Sequence, residues 1–133
     1  LRLRCLLWPG EDGDHEAEVQ RFFDGDRTMP AEVLIAWDDA RQAVGLAEVS
    51  FRSVVEGCEP GKVGFLEGWF VAQEHRRKGV GGMLVRAAEE WARDQGCAEF
   101  GSDTEIDNTV SIAAHKALGF EETERLVCFR KNL

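Results

Sequence analysis

The sequence predicts a single α/β domain in which helices flank a central mixed β-sheet. Strand-like apolar segments precede one strongly amphipathic helix, and strand and helix patterns then alternate towards the C-terminus. With 133 residues, 44% of them hydrophobic, the chain has the length of one domain and enough apolar side chains for a core. We therefore treat residues 1–133 as one domain.

The N-terminal part is predicted to be helical. Residues 1–8 read as the end of a helix, and a short amphipathic helix follows and ends near Gly25. The chain opens at Leu1 rather than Met, so we expect that the start of this first element, a strand or a helix, precedes the sequence. The acidic stretch 11–18 is interpreted as a solvated face or as one edge of a substrate cleft.

The sheet is predicted to follow these helices, with its most apolar strand in a central position. The predicted elements, in chain order, are strands over 32–37, 43–53 and 63–72, a helix from Gly79 to Gly96, a strand over 97–102, a helix over 108–118 and a final strand over 122–130.

Composition excludes several classes of function. There are 16 basic and 25 acidic residues, a net charge of −9, which argues against a general nucleic-acid binder and suits a cationic partner, or serves solubility alone. No apolar run reaches the ~18 residues of a membrane span, so we expect no membrane partner. The 4 cysteines are scattered without metal-ligand spacing, so we expect no metal site and reduced thiols in a cytoplasmic protein.

A basic, glycine-rich turn follows the central strand and opens the amphipathic helix. Its sequence is Arg76-Arg77-Lys78-Gly79-Val80-Gly81-Gly82. Glycines permit a tight turn and close approach of a ligand, and the free amides of a helix start bind anions. The local positive charge in an acidic chain therefore points to a pyrophosphate. The P-loop and dinucleotide motifs are absent. A glycine-capped helix beside a solvated basic turn is the alternative.

This turn resembles the acetyl-coenzyme A site of the GNAT N-acetyltransferase superfamily. The R-x-x-G-x-G pattern falls on Arg76, Gly79 and Gly81, and Asn108 followed by a helix ending in Ala117-Leu118-Gly119-Phe120 resembles the downstream motif. The resemblance implies the GNAT fold and acetyl-CoA as cosubstrate. The residues that it places against the cosubstrate are Trp69, Phe70, Val71, Arg76, Arg77, Lys78, Gly79, Val80, Gly81, Gly82, Asn108 and Ser111.

An acetyl acceptor amine must lose a proton, since most amines are protonated at neutral pH, and carboxylates can attract the cation and accept the proton. Glu67 lies inside an apolar strand, where a charge is costly unless it has a purpose. Asp103 follows the next strand, at the sheet edge where α/β folds bind ligands. In the alternative readings, Glu67 pairs with Arg52 and Asp103 caps a helix. Glu48 is interpreted as a solvated or supporting strand residue.

Longer blocks resemble the aminoglycoside 6′-N-acetyltransferases within this superfamily. They are Leu6-Leu7-Trp8-Pro9, Phe65-Leu66-Glu67-Gly68, Glu74-His75-Arg76-Arg77, the run from Ser102 to Asn108, and the run from Ala117 to Arg125. The resemblance implies that Trp8, Glu67, Asp103 and Glu105 bind a polycationic aminoglycoside. It makes Asp103 and Glu67 the catalytic candidates, with Asp103 binding or deprotonating the 6′-amine. It also implies direct transfer in a ternary complex, antibiotic resistance, and a homodimer.

The chain departs from the family in having no tyrosine, the residue that many GNAT enzymes use to protonate the leaving thiolate. Two other functions stay open: acetylation of another amine, such as a polyamine or a protein N-terminus, and non-catalytic sensing of acyl-CoA. Trp8 is as compatible with core packing as with substrate binding. A lone helical histidine such as His115 is more often structural, and we assign it no catalytic role from sequence.

Overall fold

The computed structural model describes residues 1–9 and 14–133. The predicted acidic stretch therefore lies partly outside the described residues. The elements are α1 (Arg2–Leu7), α2 (His15–Phe23), β1 (Glu32–Trp37), β2 (Ala43–Arg52), β3 (Val63–Val71), α3 (Val80–Asp94), β4 (Phe100–Ser102) and α4 (Thr109–Ala117). A short 3₁₀ turn, Gln73–His75, connects β3 to α3.

The sheet has four strands in the order β1-β2-β3-β4. The first two pairings are antiparallel, and β3 pairs with β4 in parallel, so the predicted mixed sheet is confirmed. Strand β3 lies between two neighbours, which explains why it is the most apolar segment of the chain. This arrangement places the end of β4 beside Leu66 in the middle of β3, whereas β3 continues to Val71 and leads towards α3.

Helix α3 covers the sheet with one apolar face. Leu84, Val85, Ala88 and Ala92 recur at helical spacing and are buried. Leu84 and Val85 pack in the main core cluster with small and branched side chains from the strands, among them Ala47. The helix begins at a left-handed Gly79, with φ of 84°, which a residue with a side chain adopts only with strain. The fold thereby fixes the basic turn against the sheet.

A β-bulge interrupts the pairing of β2 with β3. Glu48 is opposite Gly68, and Val49 is opposite Leu66, so Glu67 is the extra residue on β3. A bulge turns a side chain away from the regular alternation of a strand. It thereby allows a carboxylate to stand within an apolar strand without entering the core.

The predicted final strand over 122–130 is wrong. The structure assigns no strand to these residues, all of which are exposed. Alternating apolar residues satisfied the strand pattern, but a strand also needs a neighbour for its backbone N–H and C=O groups, and the described chain supplies none there. Side chains nevertheless hold the start of the segment: Lys116 is 2.7 Å from Glu122, and Thr123 donates to the carbonyl of Glu56 at 3.2 Å.

Candidate active site

The basic turn has the geometry of an anion site. Arg77 adopts a left-handed conformation with φ of 59°, and no side chain caps the free amides at the start of α3. No acidic residue stands in the first turn of this helix. Among the described residues, no carboxylate pairs with Arg76, Arg77 or Lys78. The charge and the amides are thus both available to a phosphate.

Strands β3 and β4 separate before β3 reaches this turn. Their pairing ends at Leu66 opposite Ser102, whereas β3 continues to Val71. Beyond that point, β4 leaves the backbone edge of β3 without a strand partner in the described chain. The carbonyl of Val71 on this edge is hydrogen-bonded within the chain, because Nε of Arg76 donates to it at 2.9 Å. Trp69, Phe70 and Val71 lie on this free edge, and their role in receiving an extended ligand arm stays a prediction.

Trp69 links the free edge to the basic turn. Its indole Nε1 is buried and has no hydrogen-bond partner within the described residues, so one donor remains to be satisfied. A Cβ on Gly81 would lie 2.8 Å from Cζ2 of Trp69. Gly81 is therefore required for the close packing of the turn on this ring. The residues present fit a pyrophosphate with an extended arm, as acetyl-CoA has.

Gly81→Ala is expected to weaken acetyl-CoA binding by about tenfold or more, because the added methyl group would displace either the ring or the start of α3, at a cost of about 1–3 kcal/mol. Calorimetric titration with acetyl-CoA measures the effect. Trp69→Leu removes the clashing ring atoms, so the double variant should bind better than Gly81→Ala alone. Equal affinity of wild type and Gly81→Ala would show that this contact does not shape the site.

A cleft of about 150 Å³ opens where the two strands separate. It brings together three predicted residues that are distant in sequence, Trp8, Glu67 and Asp103. Asp103 is exposed, so a cation can reach it from solvent. Trp8 packs on the backbone of Gly68, where a Cβ would lie 2.6 Å from its ring. Both readings of Trp8 thus have support, since its ring packs on a strand and lines the cleft.

A second cleft of about 410 Å³ shares Trp8 and Glu67 with the first. Its other lining residues are Arg4, Thr28, Met29, Pro30, Glu48 and Ser50. Both carboxylates of this lining are paired with a guanidinium, Glu48 with Arg4 and Glu67 with Arg52. The shared lining allows a polar ligand to extend from the first cleft into the second.

Glu67 is paired with Arg52, as the structural reading of the sequence proposed. The guanidinium donates from Nη2 at 2.6 Å and from Nε at 3.2 Å to the two carboxylate oxygens. The Arg52 guanidinium also lies 3.5 Å from the ring centroid of Phe65. The Glu67 side chain is nevertheless 27% exposed and lines both clefts. The two readings of Glu67 are therefore compatible.

Glu48 is buried, which excludes its interpretation as a solvated residue and leaves the alternative of a supporting strand residue. Its side chain is 4% exposed and accepts two hydrogen bonds from Nη1 of Arg4, one of them 2.6 Å long at Oε2. Burial raises the pKa of Glu48, and the bonds and charge of Arg4 oppose that effect. Arg4 also lies 3.1 Å from Glu18, so one guanidinium serves two carboxylates.

The start of α4 carries the remaining polar groups of the first cleft. Asn108 caps the helix, its side-chain oxygen accepting from the amide of Ser111 at 3.1 Å. Ser111, Ser102 and His115 also line the cleft, and His115 bonds to both serines. The sequence analysis did not predict the hydrogen bond between Ser102 and His115. Asn108 and Ser111 stay predictions as cosubstrate residues.

Glu105 is exposed and lines neither of the two clefts. Its role in substrate binding stays a prediction. Sequence analysis also missed the buried Arg4–Glu48 pair, although Glu48 interrupts an apolar run just as Glu67 does.

Within residues 1–9 and 14–133, no group of three or more histidine, cysteine or acidic side chains is arranged to hold a metal ion. A search of the described helices finds none with the length and hydropathy of a membrane span.

Sequence comparison places these features among known proteins. The sequence profile of the Acetyltransferase (GNAT) family matches residues 1–120. The aminoglycoside N(6′)-acetyltransferase type 1 of Klebsiella aerogenes is 49% identical over 134 aligned positions, which cover 100% of this chain and 88% of that protein. The protein of the same description from Acinetobacter baumannii is 43% identical, with 100% and 90% covered.

Structural comparison gives the same grouping. The solved structure of AAC(6′)-Iy with the bisubstrate analogue CoA-S-monomethyl-acetylneamine has a TM-score of 0.89 and 41% identity, covering 99% of this chain and 88% of that one. The aminoglycoside antibiotic 6′-N-acetyltransferase AAC(6′)-Ih from Acinetobacter baumannii has a TM-score of 0.87 and 43% identity, with 100% and 89% covered.

Proposed function

Because the chain belongs to the Acetyltransferase (GNAT) family, we propose that it transfers the acetyl group of acetyl-CoA to the 6′-amine of aminoglycosides and so confers resistance to these antibiotics. One observation carries the choice of acceptor. The cleft that holds Trp8, Glu67 and Asp103 opens at the free edge of β3, and Trp69, which lines it, also packs against Gly81 of the basic turn. An acidic, aromatic acceptor site thus adjoins a site suited to the cosubstrate.

The cosubstrate is held by backbone and by fixed charge. The amides from Arg77 to Gly82, with the side chains of Arg76 and Lys78, bind the pyrophosphate, and the free edge from Trp69 to Val71 pairs with the pantetheine arm. A backbone amide near Trp69 polarises the thioester carbonyl. Acetyl-CoA supplies the acetyl group. The protein supplies position, which contributes a large part of the acceleration in such reactions.

The acceptor is held by charge. Asp103 is exposed at the rim of the first cleft and accepts hydrogen bonds from the 6′-ammonium group, while Glu105 supports the acidic rim. Glu67 faces both clefts and contributes its free lone pairs, although Arg52 offsets its charge. The amine then attacks the thioester directly in a ternary complex. Close relatives bear the name of this activity, and one of them binds a bisubstrate analogue.

An acceptor panel tests the proposal. Purified protein with acetyl-CoA is incubated with kanamycin, spermidine or a peptide with a free N-terminus, and the products are identified by mass spectrometry and NMR. We expect one acetyl group on the 6′-nitrogen of kanamycin and no turnover of the other acceptors. Faster turnover of spermidine or the peptide would support a different amine. Acetyl-CoA binding without turnover of any acceptor would support a sensor.

The protein is also proposed to form a homodimer through its C-terminal segment, residues 121–133. Leu126, Val127 and Phe129 are 56%, 76% and 93% exposed, an unusual density of exposed apolar side chains. Pairing with a second copy would give this segment its missing strand partner. Light scattering should report a dimer, and Val127→Asp with Phe129→Asp should yield a monomer. A monomeric wild type at micromolar concentration would exclude this assembly.

The cytoplasm is the proposed location, because acetyl-CoA is available there and the four cysteines, Cys5, Cys58, Cys97 and Cys128, are unpaired. Cell fractionation followed by immunoblotting tests it, and recovery of the protein in the periplasmic fraction would contradict it.

A further inference from the structure

The first cleft contains a serine–histidine pair in a chain that has no tyrosine. His115 Nε2 lies 2.9 Å from Oγ of Ser102, and both residues line the cleft with Asp103. The other histidines lie elsewhere: His15 pairs with Glu18, and His75 ends the 3₁₀ turn. In the described chain, His115 is thus the one imidazole at this cleft.

Hydrogen bonding fixes which nitrogen of His115 accepts a proton. Its Nδ1 lies 2.8 Å from the backbone carbonyl of Ser111. A carbonyl only accepts, so Nδ1 carries a hydrogen and Nε2 of the neutral ring is the acceptor. The hydroxyl of Ser102 then donates to Nε2. The oxygen of Ser102 remains able to accept a further proton from the cleft.

The same heavy atoms also satisfy the protonated ring. Ser102 Oγ lies 3.3 Å from the carbonyl of Leu66. When Nε2 carries a proton it donates to Oγ, and the hydroxyl turns to Leu66. Both protonation states are therefore fully hydrogen-bonded without movement of the chain.

Packing holds the ring in place. Trp69 and Phe120 each contact His115 in edge arrangements, with ring centroids 5.5 and 5.2 Å away. The charged side chains that line the cleft with His115 are Glu67 from β3 and Asp103 after β4. Arg52 is paired with Glu67 and adds a positive charge beside these two carboxylates. An ordinary carboxylate is a weak base for an amine, whereas imidazole is well matched to proton transfer near neutral pH.

We propose that Ser102 and His115 form a proton relay for the acetyl transfer, with Asp103 serving to hold the acceptor; this inference rests on the proposed function. The substrate ammonium releases one proton to solvent before reaction. As the C–N bond forms, Ser102 Oγ accepts the second N–H proton and passes its own hydrogen to Nε2. As the C–S bond breaks, Ser102 returns a proton to the leaving sulfur, and His115 becomes neutral again. The relay thus acts first as base and then as acid.

Two variants test the relay. Ser102→Ala removes the hydroxyl, and His115→Asn keeps a donor towards the Ser111 carbonyl but has no titratable nitrogen. Each should lower kcat with kanamycin about 100-fold, the order expected for lost acid–base catalysis, with both KM values within threefold of wild type. The double variant should lose no more than either single variant, because the pair acts as a unit. His15→Asn is the matched control and should keep full kcat.

Chemical rescue separates the relay from a structural role. In His115→Ala, free imidazole in the buffer should restore rate in proportion to its neutral form. A kcat within threefold of wild type in Ser102→Ala, or no rescue of His115→Ala by free imidazole, would overturn the relay alone. A wild type inactive with kanamycin would overturn the relay together with the proposed function.

Discussion

Asp103→Asn is expected to lower kcat/KM for kanamycin by roughly 10- to 150-fold, the equivalent of about 1.5–3 kcal/mol for a charge-assisted hydrogen bond. The substitution keeps the shape of the side chain and removes its charge. Asp103 is exposed at the rim of the first cleft, so the change should leave folding intact. Steady-state kinetics at saturating acetyl-CoA measures the effect.

Whether the loss appears in KM or in kcat identifies the role of Asp103. If Asp103 only holds the ammonium, most of the loss falls on KM. If it is itself the base, most of the loss falls on kcat, and the Ser102–His115 relay would be unnecessary. Asp107→Asn is the matched control, because it removes the same charge from the same acidic segment at a residue that lines neither cleft. A kcat/KM for Asp103→Asn within twofold of wild type would show that Asp103 has neither role.

Arg4→Met is expected to lower the free energy of unfolding by about 3 kcal/mol, since it leaves the buried carboxylate of Glu48 without a cation. Methionine keeps the apolar stem of the side chain. Arg21→Met is the matched control: Arg21 pairs with Asp26 at the surface, where such pairs contribute at most about 1 kcal/mol. Urea unfolding followed by tryptophan fluorescence gives both values.

The loss in Arg4→Met should depend on pH. Burial raises the pKa of Glu48 in the folded protein, so the folded state binds this proton more tightly than the unfolded state does. Stability therefore falls as pH rises from the ordinary value of a glutamate through the raised value, and the fall should be larger once Arg4 is removed. Adding Glu48→Gln to Arg4→Met should abolish that extra dependence. An Arg4→Met protein as stable as Arg21→Met at pH 8 would contradict the importance of the pair.

Local patterns predicted most of the fold. The bounds of β1 agree with the prediction, and those of β2, β3 and α4 differ by one residue or so, because each has its own periodicity and a turn or cap at its ends. The final strand failed for a physical reason: alternation describes the faces of a strand, but pairing depends on a neighbour that sequence alone does not supply. The short β4 was predicted three residues too long at its N-terminal end.

The candidate site was predictable where chemistry depends on adjacent residues. The basic turn is continuous in sequence, and its glycines stand where the backbone requires them. Glu67 was singled out because it interrupts an apolar run, and the bulge at Glu67 now explains how the strand tolerates it. The Ser102–His115 pair and the Arg4–Glu48 pair join residues 13 and 44 positions apart. No local pattern marks such pairs, because they are created by the packing of α4 and α1 on the sheet.

Thiol release from acetyl-CoA with kanamycin, compared with an analogue in which hydroxyl replaces the 6′-amine, tests whether the 6′-amine is the acetyl acceptor. We expect steady release of one thiol per acetylated kanamycin and only background release with the hydroxyl analogue, because the cleft presents carboxylates to an ammonium group at that position. Equal release with both compounds, or release with neither while acetyl-CoA still binds, would contradict this expectation.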